Sequence, residues 1–438
     1  MYNKKRKLKK RNEDMEQLTK LIEYGVTPFH VIDYVKKQLV DVCGYREWNL
    51  QDEFVPEESG DYYVNLYGTN AVAMRIGKNI TKKPAVRIAM AHSDYPCFQI
   101  KPNPDISKAH ALGLNVEIYG GMNQKSWIDR PLGVAGTILL KGENAFSPKT
   151  IFYQSNRSIC IIPSLAIHMD RELNKKGALD VAKELVPIAS LSEESDLLKT
   201  IAKDLSLDTE AILDYDLFLY NMDKPTICGL DSSMLASPRL DNLTSVAAIL
   251  KGLTQCSKVP DNTIDIMVIF DNEEVGSLSK QGADSQLLSM VLDKIGTCLD
   301  LSPDYKVETA PQSFLLSVDV AHANHPNYEE KSDATNKAYM GKGFALKRSV
   351  GQKYGTTAST SAVVKDICQK QDIPYTIAIN KTGIPGGSTL GPIVTSYLPF
   401  PCADIGMPIV AMHSAVELGA VSDYDALCRF IKAFYEEA

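Results

Sequence analysis

An almost wholly apolar run, Ile264 to Phe270, stops abruptly at Asp271-Asn272-Glu273-Glu274. A run of that length and character reads as a buried strand. Ligands and catalysts in α/β proteins gather at the carboxyl ends of such strands. Two adjacent glutamates there repel each other, and burying both without a cation is costly. A metal ion resolves the conflict, because one glutamate can bind it while the other handles protons beside it. A lone Glu-Glu pair is most simply a solvated acidic turn. The metal reading therefore depends on what the other strand ends carry.

They carry matching groups. The strand predicted over Ala85 to Ala91 runs into His92-Ser93-Asp94, and the strand Phe314 to Val318 ends at Asp319. The last predicted strand, Pro408 to Met412, runs into His413. Asp241 stands directly before a helix whose apolar side is Val246, Ala247, Ile249, Leu250 and Leu253. Each has an ordinary reading alone: a surface His-Asp pair, a strand terminator, a core histidine, a helix cap. In one α/β frame they form a set. Residues two apart on an extended segment face the same way, so Asp94 can approach the His92 ring, fix its tautomer and raise its basicity. Two histidines, two aspartates and a glutamate are thus available as ligands, with one glutamate left over. Imidazole with carboxylate suits zinc, manganese or cobalt, and the lack of thiolate argues against a structural zinc knot. A carboxylate shared by two cations makes the two-metal hydrolytic arrangement.

The frame around these residues is legible along the chain. Thr27-Pro28 opens a helix, with Val31, Ile32, Val35, Leu39 and Val42 at helical spacing. Asp61 to Ile76 suggests two strands. From Pro96 the texture changes to short β-like segments punctuated by Gly, Pro and Asn, including Leu114 to Tyr119 and Thr137 to Lys141. A polar, helix-favouring part follows, Ala178 to Ile212, and strand texture returns at Tyr215 to Tyr220. Strands and helices alternate again from Ser237, with a strand at Tyr375 to Ile379 and a closing helix from Asp425. The expected fold is α/β, a mostly parallel sheet flanked by helices, with an inserted β-rich domain. Residues 1–95 plus 236–438 would form the discontinuous catalytic domain and 96–235 the insertion.

Composition narrows the partners. A net charge of −7 argues against general nucleic-acid binding. No apolar stretch reaches the roughly 18 residues of a membrane helix. The basic start, Lys4 to Arg11, lacks the apolar segment of a secretory signal and reads as a solvated end. Nine cysteines, odd in number and without CxxC spacing, fit a reducing cytoplasm.

The sequence resembles the aspartyl aminopeptidase family of metallo-aminopeptidases. The likeness is carried in order by Thr27-Pro28-Phe29-His30, His92-Ser93-Asp94, Trp127-Ile128-Asp129-Arg130-Pro131-Leu132, Ile162-Pro163-Ser164-Leu165-Ala166-Ile167-His168, Ser237-Pro238-Arg239-Leu240-Asp241-Asn242, Asp271 to Ser277, Asp319 to Tyr328, Gly387 to Pro392, and Ala411-Met412-His413-Ser414. It implies a zinc-peptidase type fold and two divalent ions per subunit, zinc first, cobalt or manganese otherwise. One ion would take Asp241, Glu274 and His413; the other would take Asp241, Asp319 and His92. Glu273 would be the general base, supported by Asp94 beside His92. The insertion would be a dimerisation domain, with dimers assembling into a tetrahedral dodecamer, and His168 would reach the neighbouring subunit's active site. Lys347 matches a basic residue that meets acidic substrate side chains in some relatives. The implied activity is cytoplasmic removal of the N-terminal residue from unblocked peptides, acidic residues first and neutral ones second.

The chain departs from the family pattern in two places. Lys331 to Lys337 lacks the histidines that relatives often carry after the Pro-Asn-Tyr segment. Where relatives often read Asn-Asp-Thr and then Cys-Gly, this chain has Asn380-Lys381-Thr382 and Gly386-Gly387, and Lys381 adds a cation. Two other readings remain at this level: a metal-dependent deacylase or carboxypeptidase of related fold, and a non-catalytic assembly or cargo protein. The complete ligand set plus Glu273 argues against the last.

Overall fold

The computed structural model describes residues 15–52, 59–175, 177–384 and 386–437; the basic segment Lys4 to Arg11 lies outside them. The chain forms two compact units. One contains the residues up to Asp94, Pro225–Met412 and those from Glu417 on; the other contains Tyr95–Lys224 and His413–Val416.

The first unit is built on a nine-stranded sheet. Its order is Arg46–Glu47, Asp61–Leu66, Asn70–Ile76, Thr263–Phe270, Ala85–His92, Phe314–Val318, Cys402–Gly406, Phe344–Arg348, Tyr375–Ile379. The middle of the sheet, from Thr263–Phe270 to Cys402–Gly406, is parallel. Antiparallel pairings flank it: Asp61–Leu66 with Asn70–Ile76, Asn70–Ile76 with Thr263–Phe270, and Phe344–Arg348 with Cys402–Gly406. The sheet is therefore mixed, and the expectation of a mostly parallel sheet holds for its centre. One cause is local. The link between Leu66 and Asn70 is a tight turn, with Tyr67 and Gly68 both at positive φ, and only antiparallel neighbours can be joined so briefly.

Thr263–Phe270 is buried at every position. Ile264, Ile266, Val268 and Phe270 pack into one core, while Met267 and Ile269 enter the core on the opposite face. A strand covered on both sides has no solvent face to mark with polar residues, which accounts for the apolar run. The helix Leu240–Gln255 covers one face and is buried from Leu240 through Leu253. A side chain at Gly252 would meet Ile431 of the helix Val421–Glu436, so glycine lets these two helices approach closely.

Three expectations from the sequence change. The helix opened by Pro28 is capped by Thr27 as anticipated, but it ends at Lys36 and continues as a π-helical segment, Lys37–Val42. The wider turn rotates Val42 off the apolar stripe, leaving it 70% exposed. Residues 15–24 form a further helix that the sequence reading passed over. The strand that completes the parallel block is Cys402–Gly406; Pro408–Val410 belongs to a separate five-stranded sheet with Thr226–Cys228, Met234–Ser237, Glu417–Ala420 and Ala321–His322.

The second unit holds a seven-stranded antiparallel sheet. It runs Ile212–Asn221, Cys97–Lys108, Ala111–Tyr119, Ile188–Ser190, Cys160–Ile161, Pro131–Leu140, Lys149–Gln154. Ile212–Asn221 also pairs along Pro131–Leu140, so the sheet curls into a closed ring. The helix-favouring part yields two short helices, Val181–Glu184 and Leu197–Leu205.

Candidate metal centre

The site begins with register. His92 pairs opposite Phe270, and Ser317 opposite Met90. Three adjacent parallel strands therefore release their chains at one edge, delivering His92, the Asp271–Glu274 turn and Asp319 together.

His92 lies at the centre and is 1% exposed. Its Nδ1 is 3.0 Å from the Asp94 carbonyl and 3.3 Å from Asp94 Oδ1. Its Nε2 faces three carboxylates: Asp241 Oδ1 at 3.5 Å, Asp319 Oδ1 at 3.6 Å and Glu273 Oε2 at 4.0 Å. One donor atom from each of His92, Asp241 and Glu274 lies within 4.8 Å of the others. Asp94 thus orients the ring and leaves Nε2 for the cluster.

The acidic turn is shaped by its backbone. Asn272 (φ 59°) and Gly276 (φ 97°) take left-handed conformations on either side of the 3₁₀ turn Glu273–Val275. The Asp94 carboxylate accepts the N–H of Glu273 at 3.2 Å and that of Glu274 at 3.1 Å. These donors are orphans at the start of a helical turn, and a carboxylate from the adjacent strand satisfies both.

Asp241 adopts extended backbone angles ahead of the helical residues, and the Asp241–Asn242 peptide is cis. The Glu417 carboxylate accepts the Asp241 N–H at 3.0 Å, and the Asn242 side-chain amide donates to the Val318 carbonyl at 3.0 Å. Asp241 is thereby tied to the last strand of the small sheet and to the strand that carries Asp319. On the other side of Asp319, a Cβ at Gly406 would lie 1.8 Å from the Asp319 carbonyl, so only glycine lets that strand pass. Lys347 is 2% exposed; its ammonium lies 3.2 Å from Asp319 Oδ2 and donates to the Val320 carbonyl at 3.1 Å.

Burial and charge crowding leave their mark on titration. Burial pushes the Glu273 carboxyl up to about 7; His92 opposes this, while Asp319, Asp94 and Asp241 reinforce it. Glu274 is raised too, by burial first and then by Asp241. Burial alone would lower His92, yet the Asp319 and Asp94 carboxylates beside its ring hold it well above an ordinary histidine. Asp319 goes the other way: against its burial, Lys347 and His92 hold it below the usual carboxylate range. So many carboxylates around one imidazole make a cation-seeking site, and the all-oxygen and nitrogen donor set is that of zinc, manganese or cobalt.

The remaining expected residues are placed as follows. His413 follows Met412, and its Nδ1 lies 2.9 Å from the Gly121 carbonyl. His168 stands in an exposed stretch of the second unit, beyond Cys160–Ile161. Lys347 lines a cavity of about 290 Å³, together with Asn324, Lys331, Lys337 and Lys381. The sequence reading passed over Glu417. Its signal was an acidic residue within an otherwise apolar strand, where it is 2% exposed.

This geometry gathers donors suited to a divalent cation at the carboxyl edge of an α/β sheet. Residues 21–435 match the family model described as aminopeptidase I zinc metalloprotease (M18). The chain is 40% identical to a probable M18 family aminopeptidase 2 of Clostridium novyi over 98% of this chain and 99% of that protein. It is 32% identical to aspartyl aminopeptidase 4 of Saccharomyces cerevisiae, over 94% and 92%. The solved complex of Ape4 and Nbr1 superposes with a TM-score of 0.92 at 28% identity, over 98% of this chain and 86% of that one. The chain belongs to the M18 family of zinc metalloproteases and is a metallo-aminopeptidase.

Proposed function

We propose that this enzyme removes the N-terminal residue of unblocked peptides with two divalent cations held on a shared Asp241. The carrying observation is the convergence of His92, Asp241 and Glu274 donor atoms within 4.8 Å, with Asp319 facing the same imidazole nitrogen. Asp241, Glu274 and His413 would hold one ion, and Asp241, Asp319 and His92 the other. His413 suits this role because its Nδ1 is engaged by the Gly121 carbonyl, which leaves Nε2 as the donor. Bound there, zinc would supply Lewis acidity, polarising the scissile carbonyl and acidifying water.

The rest falls to the chain's own groups. Glu273, with its carboxyl near neutrality, can take a proton from the attacking water and return it to the leaving amine. Asp94 holds the His92 ring with one oxygen and the Glu273-Glu274 turn with both. The cavity that Lys347 lines carries four lysines, which favours an acidic N-terminal side chain over a neutral one.

The second unit supports assembly. Leu165, Ile167 and Met169 are 44%, 42% and 76% exposed around His168, an apolar strip suited to a partner surface. We assign this insertion to dimerisation, with dimers building a dodecamer and His168 serving the neighbouring subunit's site. We place the enzyme in the cytoplasm on its nine cysteines, odd in number and without CxxC spacing; no helix among the described residues is long and apolar enough to cross a membrane.

The test is a panel of amino-acid p-nitroanilides offered to chelator-treated protein with added zinc, cobalt or manganese, alongside unblocked and N-acetylated peptides. Two equivalents of metal should restore release of free amino acids from the unblocked substrates only. Restoration complete at one equivalent removes the two-metal reading; cleavage of acetylated peptides removes the requirement for a free amine.

A further inference from the structure

Asp404 is fully buried in the strand Cys402–Gly406 and stands opposite two residues at once. Ser317 faces it across the parallel pairing, and Lys347 across the antiparallel one. Register partners project from the same face of a sheet, so the three side chains lie on one side of it. The Asp404 carboxylate accepts the Gly355 N–H and the Thr389 hydroxyl, and Ser317 donates to it as well. Its own N–H donates to Thr356 Oγ1 at 2.8 Å. A Cβ at Gly391 would lie 2.6 Å from Asp404 Oδ2, so the segment Gly387 to Pro392 closes over the carboxylate only because glycine stands there. The Gly391 N–H in turn donates to Ser317 Oγ at 3.2 Å.

These bonds hold the wall of the cavity of about 290 Å³. Tyr354 immediately precedes Gly355 and is 7% exposed, and its ring centroid lies 5.1 Å from the Lys347 ammonium. Tyr354 and Lys347 both line the cavity. From Lys347 the path to the metal centre is short. Its ammonium is 3.2 Å from Asp319 Oδ2, and Asp319 Oδ1 is 3.6 Å from His92 Nε2. Asp404 stands behind this wall. It grips the backbone next to one lining side chain and is in register with the other.

We propose that Asp404 is a positioning residue for the pocket that receives the side chain of the amino acid to be removed, acting through its hydrogen bonds on Tyr354 and Lys347. This rests on the proposed aminopeptidase reading, with Lys347 as the cation that meets an acidic side chain, and deepens it by naming what holds that pocket in shape. A carboxylate has acceptor capacity for all three donors, whereas alanine leaves the Gly355 N–H and the Thr389 and Ser317 hydroxyls without it. An amide keeps most of the pattern: its oxygen can take the Gly355 N–H while its NH2 turns to Thr389, whose hydroxyl can also accept. Small displacements of substrate-positioning groups are costly, since a shift of about 1 Å can lose about 100-fold in rate.

The experiment measures kcat and KM of the zinc-loaded full-length enzyme on Glu- and Ala-p-nitroanilide for wild type, Asp404→Ala, Asp404→Asn and Thr389→Val, with zinc content determined on the same preparations. Asp404→Ala should lose about tenfold in the Glu-over-Ala ratio of kcat/KM, chiefly through KM on Glu, with zinc at the wild-type level. Asp404→Asn should bring the ratio back to within about threefold of wild type. Thr389→Val removes one donor and leaves the carboxylate, and should shift the ratio in the same direction by about threefold. A wild-type ratio in Asp404→Ala overturns the inference; where that variant does not fold, a wild-type ratio in Thr389→Val does so. Equal losses on both substrates, or an asparagine variant no better than alanine, overturn it too. A wild type that cleaves both substrates without preferring Glu takes this inference and the acidic preference away together and leaves the aminopeptidase standing. A wild type that releases no amino acid from either overturns the aminopeptidase reading itself.

Discussion

Asp94 Oδ1 accepts the backbone N–H of Glu273 at 3.2 Å, while the same carboxylate lies 3.3 Å from the His92 ring nitrogen. One side chain therefore sets the position of two strand ends, through two acceptor oxygens. In Asp94→Asn one of those oxygens becomes an NH2 donor that must face another donor, whichever way the amide turns. We expect about 10- to 100-fold weaker zinc retention and a parallel loss of activity, with the fold intact. Equilibrium dialysis against zinc, with circular dichroism as the control, checks this; wild-type retention refutes it.

Glu273 is assigned to protons and Glu274 to metal. Glu273→Gln keeps the size and the backbone bond to Asp94 but cannot accept a proton. Zinc content should stay at the wild-type level while kcat falls by about 10³-fold or more. Metal analysis and steady-state kinetics on the same preparation separate the two roles. Near-normal turnover would take the base assignment away from Glu273.

A pH effect on stability should come from Asp265, far from the chemistry. It lies in register between Arg75 and Arg87, is fully buried, and neither carboxylate oxygen has a hydrogen-bond partner among the described residues. Burial pushes its pKa up to about 8; the two arginines oppose this and Asp61 adds to it. The folded-state value is above the unfolded one, so the native protein binds the extra proton between about pH 4 and 8. Stability should fall as pH rises through that window. Asp265→Asn removes the dependence and should exceed wild type by about 2–4 kcal/mol at pH 8.5, with the two converging near pH 4. Urea unfolding at several pH values measures it; parallel curves contradict the assignment.

His168→Phe keeps an aromatic ring in the exposed strip of the second unit and removes the imidazole. If His168 serves a neighbouring subunit, turnover should drop by about 10- to 100-fold with metal content and assembly size unchanged. Kinetics paired with light scattering tests the point, and unchanged kinetics dispose of it.

What could be read in the sequence was periodic or terminal. The strand ends at His92, Glu273 and Asp319 were visible because a buried strand has to be apolar and the polar residues after it stand out. Cys402–Gly406 was passed over because Asp404 interrupts it; that carboxylate is buried and bonded by Thr389 and the Gly355 N–H, which pattern alone does not reveal. Lys347 is indicated only by the family resemblance, as a substrate-facing cation, and its bond to Asp319 depends on an antiparallel pairing between Phe344–Arg348 and Cys402–Gly406. Long-range partners such as Glu417 for Asp241 leave no local trace. The π-helical turn after Lys36 likewise leaves no mark in the helical spacing of its residues.

That last partnership also sets an order of events. Glu417 enters from one of the final strands of the sequence and grips the Asp241 N–H, while Asp241 comes from much earlier. A nascent chain on the ribosome can display every proposed ligand up to Asp319 and still lack the brace that holds Asp241. The peptidase is therefore expected to remain inert throughout translation and to become competent only once its closing hairpin has docked.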